Sequence, residues 1–138
     1  MRVKLPIRSF EYQRSIGGAR WALERTRAYV TQRETFGVPL ASHQSILFTL
    51  ADMQTELTAA RLMIADAAAK LDERAADATA ACAMAKRFAT DAAFSVANSA
   101  LQLHGGYGYL HEYGIERVVR DLRVHQILEG TNEIMRLI

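Results

Sequence analysis

The sequence predicts an all-α fold, an up-and-down four-helix bundle, and three observations carry that expectation. One helical stripe runs unbroken through about thirty residues of the first half of the chain. A long alanine-rich stretch follows it. No segment reads as a β-strand, and the two prolines, Pro6 and Pro39, lie outside the long periodic stretches, as helix breakers should.

The elements follow in order. A first helix is expected from about Arg14 to Gln32, with Ile16, Leu23 and Val30 on one stripe and Trp21 near it. From Ile46 the apolar positions run Ile46, Leu50, Met53, Leu57, Ala60, Ile64, Ala67, Leu71, in alternating steps of four and three. That spacing predicts one helix sustained for more than three heptads, with Pro39 ahead of it and Ser42 as the N-cap. Such a helix is too long for a small α/β domain and suits a bundle. The third helix is expected from about Ala75 to Leu103. It holds about a dozen alanines, which favour helix and let neighbouring helices approach closely, with bulk from Phe88, Phe94 and Val96. Residues 104–114, HGGYGYLHEYG, hold four glycines and three tyrosines and read as a loop with tight turns. A short helix follows at about Ile115–Val124, and a last one is expected to begin near Asn132.

Composition bounds the rest. The chain has 138 residues, the size of one domain, enough to bury roughly 68% of its unfolded surface. Half of it is hydrophobic, 23% is charged and the net charge is +2. That charge is too mild to point to nucleic acid. No apolar run has the length of a membrane span. The single cysteine, Cys82, sits in an alanine-rich run, reads as a small buried hydrophobe, and offers no disulfide framework. The start MRVKLPIRSFEYQR is basic but lacks the apolar core of a signal peptide. The expected compartment is the cytoplasm, or the mitochondrial matrix if the source is eukaryotic. No metal site is expected. There are no Glu-x-x-His pairs and no Cys-x-x-Cys, and His111-Glu112 lacks the second histidine of the zinc-protease helix. The four histidines, His43, His104, His111 and His125, read as hydrogen-bonded core or loop residues. Gly105-Gly106-Tyr107-Gly108 lacks Walker spacing and its lysine, so on its own it reads as a turn.

Four pieces together are far more specific than any one: RETFGVPLASHQ (33–44), LQLHGGYGYLHEYGIER (101–117), VRDLRVHQ (119–126) and ILEGTNEIMR (127–136). In this order and at these spacings they resemble the C-terminal helical domain of the acyl-CoA dehydrogenases, and most of all its short branched-chain members. These are flavoenzymes that desaturate acyl-CoA thioesters between the α and β carbons. The resemblance runs from about Ser15 to Ile138, leaving residues 1–14 as an atypical run-in.

The resemblance implies roles for particular positions. Glu129 matches the catalytic base of the Glu-Gly-Thr/Ser motif, which takes the α proton while a hydride leaves the β carbon for the flavin N5. A base for a weakly acidic C–H needs a pKa near the working pH, which carboxylates reach by desolvation, and Ile127 and Leu128 could supply a dry wall. Gly130 lacks a side chain, so a thioester could approach its backbone. The plain alternative is a solvated Glu129 ahead of a helix capped by Thr131. Arg33 matches the arginine that reaches the FAD pyrophosphate of a neighbouring subunit, for which its planar fork is suited. Its alternative is a cation at a helix C-terminus. Phe36 matches the aromatic of the same motif, with packing as the alternative. Gln44 matches a polar contact to the same flavin, with an exposed first-turn residue as the alternative. Gln102, Gly105 and Gly106 match the segment along the ADP part. Thr131 and Glu133 match contacts to the adenine end or ribityl chain, which Asn132 could join. Arg120 and Asp121 read as a structural ion pair.

The resemblance further implies an acyl-CoA substrate, an electron-transfer flavoprotein as acceptor, and a homo-oligomer, a tetramer in the family. Family enzymes also carry an N-terminal helical domain and a middle β-domain ahead of this one. The chain is therefore expected to be a fragment, the product of a mis-started gene, or one piece of a split enzyme. The domain alone is not expected to desaturate efficiently, and the alternative function is a non-catalytic helical module that oligomerises or completes a partner's flavin site, or a remnant fragment.

Overall fold

The computed structural model describes residues 9–138, with side chains from residue 13 onward. Pro6 and most of the 1–14 run-in lie outside the described residues. Helix α1 (Ser9–Gln32) leads into a two-stranded antiparallel hairpin, β1 (Glu34–Thr35) and β2 (Val38–Pro39). A 3₁₀ turn at Leu40–Ser42 precedes helix α2 (Gln44–Asp72). Helix α3 (Ala78–His104) follows, then a 3₁₀ turn at Gly105–Tyr109, helix α4 (Ile115–His125) and a last 3₁₀ turn at Ile134–Leu137.

Tertiary contacts fix the directions. The end of α1 meets the end of α3, where Tyr29 stacks on His104. The start of α1 meets the end of α4, where Ser15 Oγ lies 2.7 Å from His125 Nδ1. Cys82 Sγ lies 3.8 Å from Ala67 O across the α2–α3 turn. The helices therefore run up, down, up and down, and the four-helix bundle expected from the sequence is present.

Alanine sets the packing. Ala19 and Ala22 of α1, Ala60 of α2 and Ala89, Ala93, Ala97 and Ala100 of α3 all have no exposure. Small side chains at those positions leave the axes free to approach, and Leu23, Met53, Leu57, Val96, Ile115 and Leu122 fill the space that remains. The α2 stripe faces inward at Met53, Leu57, Ala60 and Ala67, while its last member, Leu71, is 38% exposed where the helix runs out. That end closes with Arg74 in the left-handed region (φ 55°). Arg74 N–H donates to Leu71 O at 3.1 Å and Ala75 N–H to Lys70 O at 2.9 Å, which satisfies two of the last carbonyls.

Several expectations are corrected. A hairpin stands where none was expected, because Phe36 (φ 53°) and Gly37 (φ 81°) both adopt the left-handed region that a two-residue turn requires. The N-cap of α2 is His43, not Ser42, which belongs to the preceding 3₁₀ turn. The glycine-rich segment has the tight turns expected of it, a 3₁₀ turn at Gly105–Tyr109 followed by further turns. The last helix is only a 3₁₀ turn. Arg120 and Asp121 are both exposed, and no salt bridge among the described residues joins them. Adjacent residues on a helix point about 100° apart and do not face each other.

Candidate functional site

The sequence-predicted residues fall into two clusters. The first lies where α1 and α3 end together. A cavity of about 640 Å³ opens there, and Arg33, Gln102, Gly105 and Gly106 line it beside Tyr29 and Tyr107. The Arg33 guanidinium sits over the Tyr107 ring, 5.2 Å from its centroid. Gly105 (φ 57°) ends α3, and a Cβ on it or on Gly106 would meet nothing within 4 Å, so both backbones face open space. Gly108 is different. A Cβ there would lie 2.9 Å from Leu101 O, so that glycine is fixed by packing against α3.

An aromatic platform supports this cavity. The Tyr29 ring stacks on buried His104 at 4.3 Å with an interplanar angle of 22°. Tyr29 Oη donates to His104 O at 3.4 Å, and His104 Nδ1 lies 2.8 Å from Ala100 O. Burial pushes the His104 pKa down; the Ala100 carbonyl opposes that shift and the Arg25 charge adds to it. Burial raises the Tyr29 hydroxyl, and the Arg33 charge opposes it. Phe36 and Gln44 do not line the cavity. Phe36 is 98% exposed at the tip of the hairpin, its ring edge-on to His43, and Gln44 is exposed in the first turn of α2.

The second cluster is the loop after α4. Glu129 is exposed and adopts φ 57°, and Gly130 follows at φ 93°. A non-glycine residue in the left-handed region costs about 1–2 kcal/mol, so the surrounding structure must hold it. Glycine suits position 130 because φ of 93° strains any side chain; a Cβ there would also lie 2.7 Å from Met135 Cε, the movable end of a flexible side chain. Thr131 Oγ1 accepts from Ile134 N–H at 3.4 Å, while the N-cap of the final turn is Glu133. The Glu133 carboxyl is held below its ordinary range, first by its own backbone N–H and then by Thr131. Ile127 and Leu128 are about half exposed, so they do not form a dry wall around Glu129 within this chain.

Lys86 holds this loop from beneath. It is 1% exposed, and its Nζ donates to Gly130 O and to Asn132 Oδ1, each at 2.7 Å. Asn132 is buried and turned inward, its Nδ2 donating to Asp91 Oδ1 at 2.6 Å and to Thr90 Oγ1 at 2.9 Å. Its amide is therefore part of the support, which leaves only its backbone for the ligand contact that the resemblance suggests. Gln126 Nε2 donates to the same Asp91 oxygen at 2.8 Å. Burial lowers the Lys86 pKa, and the negative charges of Asp91, Glu133 and Glu129 oppose that shift. None of Lys86, Thr90 or Asp91 stood out in the sequence. The available signal was a lysine on the buried alanine stripe of α3, where charge is rare unless partnered.

The two clusters are well separated. At 1.5 Å per residue, Lys86 and Gln102 stand roughly 24 Å apart along α3. Among the described residues no group of three or more His, Cys, Asp or Glu is placed to hold a metal, and no helix is long and apolar enough to cross a membrane.

Residues 12–138 match the acyl-CoA dehydrogenase C-terminal domain. The chain is 52% identical over 124 residues to isobutyryl-CoA dehydrogenase of Bos taurus, covering 90% of this chain and 30% of that enzyme. Butyryl-CoA dehydrogenase from Megasphaera elsdenii superposes with a TM-score of 0.87 at 42% identity, covering 91% of this chain and 33% of that one. A solved FAD complex of PigA superposes with a TM-score of 0.84 at 32% identity, covering 89% of this chain and 32% of that one. The chain thus spans about a third of the length of the proteins it matches. On this evidence the chain belongs to the acyl-CoA dehydrogenase family, and it corresponds to that family's C-terminal helical domain.

Proposed function

We propose that this chain forms the C-terminal part of an FAD-dependent acyl-CoA dehydrogenase acting on a short or branched acyl-CoA. The observation that carries this reading is Glu129, exposed, left-handed, and presented by a loop whose neighbours are tied to α3. An anchored, strained carboxylate is what a base for a C–H proton requires, because its position is set before substrate arrives. Glu129 takes the α proton, and Gly130 leaves the thioester room to approach. When bound, FAD supplies the acceptor for the hydride from the β carbon.

The first cluster fits FAD by its chemistry. Arg33 offers a two-pronged donor to the pyrophosphate, Gln102 an amide, and Gly105 and Gly106 backbone faces with open space above them. Phe36, Gln44, Thr131 and Glu133 are assigned further contacts to the cofactor. The separation of the clusters favours their serving cofactors in different copies, in line with Arg33 reaching a neighbouring subunit and with a tetrameric assembly. Exposed Phe36, Phe48, Leu62 and Tyr109 supply apolar surface for such contacts. The half-exposed Ile127 and Leu128 would close over Glu129 only against further protein surface. An electron-transfer flavoprotein is the expected acceptor.

That same exposure favours one second reading, a helical module that completes a partner chain's flavin site. Glu129→Gln separates the two. As a base, Glu129 is required for reduction of bound FAD by isobutyryl-CoA, and the variant should abolish that reduction while retaining FAD. Loss of FAD along with activity would mark Glu129 as structural.

A further inference from the structure

We propose that Lys86 is the positioning residue of the Glu129 loop, fixing Glu129 in its left-handed conformation through Gly130 O and Asn132. The proposal rests on the reading of Glu129 as the base.

The geometry is that of a bolt with three fastenings. Lys86 Nζ reaches the carbonyl immediately after Glu129, at 2.7 Å from Gly130 O. Its second bond, also 2.7 Å, holds Asn132 Oδ1, so that Asn132 Nδ2 is turned onto Asp91 at 2.6 Å. Gln126, at the start of the loop, is tied to the same Asp91 oxygen at 2.8 Å. The loop closes on itself where Asn132 N–H donates to Gln126 O at 3.0 Å. Both ends and the centre of the segment carrying Glu129 are therefore fixed to one short stretch of α3, from Lys86 to Asp91.

An ammonium 1% exposed in an alanine-rich helix is a poor choice for stability alone. Its two acceptors are neutral, and no salt bridge with a carboxylate lies within reach among the described residues. A methionine of similar length would fill the same space without desolvating a charge. What methionine cannot do is hold Gly130 O. Without that bond the Glu129 backbone is free to return to negative φ, which swings the direction of its side chain.

The test uses the full chain and the ¹³Cα and ¹³Cβ chemical shifts of Glu129, which report the sign of φ. Wild type should show left-handed shifts. Lys86→Met should move them to ordinary values in a folded bundle, and Lys86→Arg, which keeps a cationic donor, should restore them in part. Asn132→Ala probes the same network from the loop, without altering α3, and should move them as well. Thr26→Val removes a buried hydroxyl on α1 that bonds Ala22 O, and should leave them in place however much it lowers the melting temperature. In an FAD-loaded enzyme that joins this chain to the family's N-terminal helical and middle β-domains, Lys86→Met should lower kcat on isobutyryl-CoA about 100-fold with KM little changed, the signature of a displaced base. Wild-type Glu129 shifts in a folded Lys86→Met chain, or in Asn132→Ala, would overturn the proposal. If Glu129→Gln leaves turnover intact, the base assignment falls instead, and the shifts still decide whether Lys86 sets the loop.

Discussion

Replacing Arg33 with alanine separates a cofactor contact from a packing residue. Arg33 is exposed at the rim of the 640 Å³ cavity, and its guanidinium lies over the Tyr107 face at 5.2 Å. A cation over an aromatic ring at an exposed site contributes about 0.5–1 kcal/mol. For a chain of this size that is a fall in melting temperature of no more than about 4 °C. A charge-assisted bond to phosphate contributes about 1.5–3 kcal/mol, and solvent exposure places Arg33 at the lower end. Arg33→Ala should therefore weaken FAD binding roughly tenfold. Arg33→Lys keeps the charge but loses the fork, and should fall between the two. Calorimetric titration of FAD into the chain measures this, and the difference between wild type and Arg33→Ala should shrink as salt is added. An unchanged FAD affinity in Arg33→Ala, together with a lower melting temperature, would refute the assignment and leave Arg33 with a packing role against Tyr107.

Two further outcomes follow from the same end of the bundle. Gly108→Ala would place a Cβ 2.9 Å from Leu101 O, a backbone atom that cannot yield. It should cost about 1–3 kcal/mol, seen as a lower melting temperature by circular dichroism, whereas Gly106→Ala, facing open space, should not alter the fold. His104 is held neutral by burial, with its folded pKa below the unfolded value of about 6.5. The unfolded chain then binds the extra proton first, so the stabilisation is complete above that value and is lost as pH falls toward the folded pKa. Thermal melts from neutral to acidic pH should show this decline, and His104→Gln should flatten it.

The parts of the fold that were legible are those written in one-dimensional spacing. The four-and-three stripe from Ile46 to Leu71 marked α2, and the alanines of α3 announced close packing before any contact was known. Positions that depend on distant partners were not legible. Lys86 gains its meaning from Gly130 and Asn132, more than forty residues along the chain. The hairpin was missed because Phe36 is not a residue that turns favour, so only Gly37 hinted at it. The Arg120–Asp121 pair failed for the converse reason, since neighbours in sequence are not neighbours on a helix surface. At the candidate site, the family resemblance gathered Arg33, Gln102, Gly105 and Gly106, and the structure brings those four around one cavity. It also pointed to Phe36 and Gln44, which are exposed and do not line that cavity. The Asn132 amide is committed to Asp91 and Thr90, distant partners that the sequence does not show.

The central claim is that Glu129 removes the α proton of an acyl-CoA. Deuterium exchange at the α carbon of isobutyryl-CoA in D₂O, with the chain joined to the family's N-terminal helical and middle β-domains and loaded with FAD, tests it directly by mass spectrometry. The account predicts exchange with wild type and none above background with Glu129→Gln. Equal exchange by the two chains would contradict it.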